Sequence, residues 1–162
     1  MKMVCVKAAW MILLFVRGAE AGLDSCFEKA GQRYGISGEL LYAVAAQESG
    51  FEPSAVGHNA DGSRDIGVMQ INSWWLPRLA EYGIDENRLR EPCTNVLVGA
   101  WILAGNIARY GYTWEAVGAY NVGTAATDEA EERRKDYANR VAAQLVLHRR
   151  ARGMRPSEDR SR

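Results

Sequence analysis

Apolar side chains fall at Leu40, Leu41, Val44 and Ala45, one stripe at helical spacing, and the next turn of that stripe arrives at Glu48. The pattern predicts a helix over 38–49, with Ser37 as N-cap and Glu39 in its first turn. Further helical patterns cover about 24–34, 71–82, 94–110, 114–121 and 136–149. Residues 50–67 read as a long loop, with glycines at Gly50, Gly57, Gly62 and Gly67 and one proline, Pro53. Loops of that length inside a domain are usually functional. Strand signals are weak: Val56–Gly57 and Ile66–Met69 could pair as a small ribbon. The fold class expected is mainly α, an α+β single domain with a small β-ribbon beside the helix that ends in Glu48.

A chain of 162 residues is long enough for one domain with its own core. Twenty Lys and Arg balance twenty Asp and Glu, so net charge gives no argument for nucleic acid. No repeat is visible, and no apolar run reaches the length of a membrane span. The run AAWMILLFV at 8–16 is preceded by Lys2 and Lys7 and followed by Ala19-Glu20-Ala21. That is the layout of a secretory signal peptide cut after Ala21, which predicts export to the periplasm. Residues 22–148 are then the folded domain, and 149–162, with six Arg, a disordered basic tail. Cys5 leaves with the signal. Cys26 and Cys93 remain, an even pair in an oxidising compartment and a candidate disulfide. Without nearby His they make a poor zinc site. No metal, nucleotide or organic cofactor is implied.

A carboxyl that finishes a buried helical face needs a reason. Partial burial disfavours its charged form, and so does the negative end of the helix dipole. A carboxyl kept protonated near neutral pH is suited to general acid catalysis. The neighbouring segments add fitting chemistry. Gly67 permits close backbone approach to a ligand. Gln70 and Asn72 offer amides, Trp74 and Trp75 flat apolar faces of the kind sugar rings stack on. Tyr120, Asn121 and Gly123 follow, and Tyr137 and Val141 share one helical face. A polar and aromatic set around one carboxyl fits an extended carbohydrate better than a phosphate or a metal. Taken singly, Trp74, Trp101, Trp114 and Tyr137 also fit plain packing roles.

Four motifs occur in order: ESGFEPSA, GSRDIGVMQIN, AYNVG and YANRV. In this order they resemble the catalytic domain of soluble lytic transglycosylases, in the lysozyme-like superfamily, over about residues 24–145. The small exported domain and its cysteine pair look most like the specialised members that accompany type III secretion, conjugative type IV secretion and type IV pilus machines. The resemblance implies a lysozyme-like fold and cleavage of peptidoglycan glycan strands by one carboxyl. It implies Glu48 as acid and then base, with Ser49 orienting the acid or the substrate. It assigns Gly67, Met69 and Gln70 to the saccharide cleft, Tyr120 and Asn121 to its shape near the reacting sugar, and Tyr137 to a hydrogen bond near Glu48. Val68 stands where the motif usually has Leu, an apolar exchange. Two other functions stay open. A hydrolytic lysozyme on the same fold needs a second carboxylate, with Glu52, Asp61 and Asp65 as candidates. A non-catalytic wall-binding or scaffold protein would use the tail and the charge run 128–136 to dock partners.

Overall fold

The computed structural model describes residues 22–153. Seven helices and one small sheet make up the described chain. Helix α1 covers residues 22–34, and α2 spans Gly38–Glu48. Strands β1 (Val56–His58), β2 (Arg64–Ile66) and β3 (Ile71–Asn72) follow. A 3-10 turn at Ser73–Trp75 leads into α3 (Leu76–Ala80), then α4 (Glu86–Leu89) and α5 (Pro92–Tyr110). The chain closes with α6 (Trp114–Val122) and α7 (Asp128–Ala151). Among the described residues no helix is long and apolar enough to cross a membrane.

The stripe on α2 is the centre of the core. Leu41, Ala43, Val44 and Ala45 are wholly buried, packed against α7 and α5. Ser37 holds the N-cap position but its hydroxyl makes no cap; its backbone N–H instead donates to the Tyr112 hydroxyl at 3.0 Å. Cys26 on α1 is bridged to Cys93 in the first turn of α5, 67 residues apart. In the chain-entropy view a loop of that length is worth about 4 kcal/mol to the folded state. Helix α6 meets α7 closely at Gly118, where an added Cβ would lie 2.5 Å from the Arg134 carbonyl oxygen. That approach is what brings residues 120 and 121 beside Tyr137.

Three differences from the sequence reading have clear causes. The expected 71–82 helix begins instead with β3 and a 3-10 turn. Gln70 adopts the left-handed region, with φ 48°, and restarts the chain extended; the Asn72 side chain then accepts from Trp74 N at 2.8 Å. The ribbon is three-stranded and antiparallel, in the order β1-β2-β3, and Gly67–Met69 form the turn between β2 and β3 rather than a strand. Finally, α7 starts eight residues before the predicted 136, because Thr127 caps it by accepting from Ala130 N at 3.2 Å. The charge run is thus its first two turns, acidic at the start and with Lys135 paired to Glu131 and Glu132. The helix also continues through 149–151, which composition had assigned to the tail, and Arg149 pairs with Glu39 at 2.9 Å. The predicted signal segment and residues 154–162 lie outside the described residues.

Candidate active site

Glu48 is the last residue of α2 and stands half-buried in a polar cleft of about 440 Å³. Helix α7 supplies its principal partner. The Tyr137 hydroxyl, on a side chain only 2% exposed, donates to Glu48 Oε1 at 2.5 Å. Asn121 at the end of α6 adds a second side-chain hydrogen bond. Burial dominates the energetics and raises the Glu48 pKa from 4.5 to about 7, with the nearby charge of Asp65 pushing the same way. The bonds from Tyr137 and Asn121, and the charge of Arg140, pull it down without cancelling the burial. Near neutral pH this carboxyl therefore holds a proton it can give and can take back.

The chain turns sharply after the acid. Gly50 and Phe51 both take positive φ, 61° and 70°, and Phe51 is held there by packing on Tyr42 with ring centroids 4.5 Å apart. Ser49 does not bond Glu48. Its hydroxyl donates to Val68 O at 2.8 Å and accepts from Glu52 N at 3.1 Å, fastening the end of α2 to the turn below the cleft.

That turn is built on a residue the motifs did not single out. Asn95 on α5 is fully buried. Its Oδ1 accepts from Met69 N at 2.7 Å, and its Nδ2 donates to the carbonyls of Ile66 at 2.8 Å and Leu89 at 2.9 Å. The signal was present in the sequence: 95, 99 and 103 recur at helical spacing on the apolar face of α5, and an amide occupies the first of them. Gly67 lies against it with φ 76°, and a Cβ there would meet Asn95 Nδ2 at 2.6 Å. Gly67 and the Met69 side chain are buried beneath the cleft and do not line it. Gln70 does line it, but its Nε2 donates to Gly67 O at 2.8 Å and Ala55 O at 3.3 Å, leaving Oε1 as the free polar atom. Tyr120, also in the lining, donates to Met69 O at 2.9 Å, and its own pKa is raised well above the usual phenol value by burial and by Glu48 and Asp65.

Across the cleft, the sheet carries Asp65. Asn72 Nδ2 donates to its Oδ1 at 2.9 Å and Asn59 Nδ2 to its Oδ2 at 3.0 Å. The other two candidate carboxylates serve turns. Glu52 accepts from the backbone and hydroxyl of Ser54, and Asp61 from those of Ser63, which lowers the pKa of each. Trp75 closes one end of the cleft, edge-on to Trp74 and to Trp101 at 5.3 Å each. Trp74 is 75% exposed, whereas Trp114 lies with Tyr112 in a separate groove. The structure thus places Tyr137 against Glu48, and adds Asn95 and the cleft residues Asn59 and Arg133, which the motifs did not single out.

The family model described as "Transglycosylase SLT domain" matches residues 25–142. The invasion protein IagB of Salmonella typhimurium is 42% identical over 154 residues, covering 94% of this chain and 93% of its own. Protein IpgF of Shigella flexneri is 43% identical over 126 residues, covering 77% of this chain and 82% of its own. Among solved structures, an inactive mutant of the lytic transglycosylase Slt from Pseudomonas aeruginosa matches with a TM-score of 0.63 at 20% identity over 84% of this chain. The chain spans only 25% of that enzyme's length, and the likeness shows the fold. The mainly helical, lysozyme-like architecture with a small sheet is the one the sequence led us to expect. On the family match and the identity to these relatives together, the chain belongs to the transglycosylase SLT domain family.

Proposed function

We propose that the protein is a lytic transglycosylase that cleaves the β-1,4 bond between N-acetylmuramic acid and N-acetylglucosamine in peptidoglycan. The observation that carries this reading is Glu48: a single carboxyl raised to about 7, gripped by Tyr137, inside a polar cleft. Glu48 protonates the glycosidic oxygen, and the bond from that oxygen to the anomeric carbon breaks with its electron pair going to the departing N-acetylglucosamine. The substrate's own N-acetyl oxygen bonds the anomeric carbon. Glu48, now a carboxylate, takes the proton from the muramoyl C6 hydroxyl. The C6 oxygen displaces the N-acetyl oxygen and closes a 1,6-anhydro ring. Glu48 ends protonated, and no water is consumed. Tyr137 and Asn121 hold the carboxyl aimed at one oxygen through both transfers.

The protein acts in the periplasm after removal of residues 1–21. There it opens the wall locally for a secretion, conjugation or pilus machine, a role supported by its similarity to a protein named for invasion.

One observation favours a second reading. Asp65 lines the cleft with Glu48 and has an amide on each oxygen, as a base for water would need. Hydrolysis would then leave a reducing end. Mass spectrometry of soluble products from purified peptidoglycan separates the two, because the anhydro end is one water lighter. Wild-type protein is expected to release anhydro-muropeptides, and Glu48→Gln none. Reducing-end products would replace the lyase reading with the hydrolytic one. Wall binding without products from either protein would leave a binding module.

A further inference from the structure

Arg133 is the only cationic side chain that lines the cleft among the described residues. It is exposed on α7 and has no hydrogen bond, ion pair or ring contact with any of them. Acidic neighbours are close in sequence, yet Glu131 and Glu132 are both taken by Lys135, at 2.9 and 3.0 Å. The adjacent Arg134 turns the other way, is buried, and donates to Ala125 O at 2.9 Å. A guanidinium left unpaired beside so many carboxylates, and facing a cleft, is free for an anion from outside.

Its position narrows the anion. Arg133 precedes Tyr137 by four residues, one helical turn or about 6 Å along the axis. Tyr137 touches Glu48, and Arg133 and Glu48 line the same cleft, so the arginine stands one helical turn of α7 from the residue that meets the acid. The glycan backbone of peptidoglycan is uncharged. Its anions are carboxylates on the appendage of the muramoyl ring: those of the attached peptide, or the lactyl carboxylate where the peptide has been removed. The carboxyl groups lining the cleft, Glu48, Asp61 and Asp65, offer such an anion no attraction.

We propose that Arg133 binds a carboxylate of the muramoyl appendage beside the scissile bond and so makes the cleft selective for anionic, peptide-bearing glycan. This rests on the reading of the cleft as a peptidoglycan site. The test measures binding in a Glu48→Gln background, so that nothing turns over, with three soluble probes. These are a glycan fragment with its peptides, the same fragment stripped by an amidase to free lactyl carboxylates, and an uncharged β-1,4 N-acetylglucosamine oligomer of equal length. Adding Arg133→Ala is expected to weaken the peptide-bearing probe about fivefold and flatten its salt dependence. The uncharged oligomer should bind as before, and Arg133→Lys should keep most of the affinity. Loss on the peptide-bearing probe alone assigns the contact to a peptide carboxylate. Loss on the stripped probe as well shows that the guanidinium takes either anion, a peptide carboxylate or the lactyl carboxylate that the amidase uncovers. Unchanged affinity for the peptide-bearing probe, or an equal loss on the uncharged oligomer, overturns the proposal. Anhydro products from wild type together with that unchanged affinity would sink the arginine and spare the enzyme. A parent protein that binds no peptide-bearing glycan would sink both.

Discussion

Two walls meet at the cleft, and they hold their carboxyl groups by opposite means. The helical wall, from α2, α6 and α7, fixes Glu48 by packing: Val44 and Ala45 behind it are wholly buried, and Tyr137 reaches it from a nearly buried ring. The sheet wall has strands of two or three residues and little apolar surface, and it fixes Asp65 with side-chain amides from Asn59 and Asn72. On the first wall the missing water raises the proton affinity. On the second, N–H groups meet both carboxylate oxygens. Burial and hydrogen bonding thus separate two like groups into different candidate roles within one cleft.

The difference can be broken most severely at Asn95, which ties the turn under the sheet wall to α5. Asn95→Ala leaves the Met69 N–H and the Ile66 and Leu89 carbonyls unpaired in the core. A loss of about 3 kcal/mol is expected in thermal or denaturant melts. An unchanged melt would mean that the sheet wall stands without it.

Glu48 provides the next test, through pH. The folded chain holds this proton more tightly than an unfolded chain, about 7 against 4.5. Its stabilising contribution is complete below about pH 4.5, shrinks as pH rises between the two values, and is lost above about pH 7. Glu48→Gln has no such proton. It should melt like wild type in acid and be the more stable form by up to about 3 kcal/mol near pH 8. A gap that does not widen with pH would show that burial does not control the acid.

A smaller effect is expected from Tyr137→Phe. The lost hydroxyl frees the carboxyl to rotate, and cleavage should fall roughly tenfold. That hydroxyl also lowers the Glu48 pKa, so the alkaline limb of the rate profile should move to higher pH. Asp65→Asn should move the same limb the other way, by less than about one unit, because the Asp65 charge raises Glu48. Anhydro products should persist in Asp65→Asn; their replacement by none would give Asp65 a direct part in the chemistry.

The helical wall was legible in the sequence and the sheet wall only in part: Val56–Gly57 does pair with the strand ending at Ile66, while the third strand was not foreseen. In α2 the apolar period shows both the helix and its inward face, and the bounds of α6 were placed to within a residue. Glu48 was legible because it finishes such a period. Strands as short as Ile71–Asn72 carry no period, and their order depends on the Gln70 turn and on Asn95, which lies 26 residues from the Met69 N–H that it holds. The start of α7 was hidden for a related reason. Its inner face opens with Ala130 and a buried Arg134, so the helical stripe is interrupted by a charge until Tyr137 and Ala138 restore it. The cysteine pair was readable from parity and compartment, and the bridge is present.

The hydrogen bond between Tyr137 and Glu48 joins positions 89 residues apart, and α7 is the last helix among the described residues. A chain emerging from its N-terminus presents the acid long before its partner. Until α7 docks, Glu48 is an ordinary solvated side chain with neither raised proton affinity nor fixed aim. The raised proton affinity and fixed aim of Glu48 therefore belong to the assembled fold and not to α2 alone.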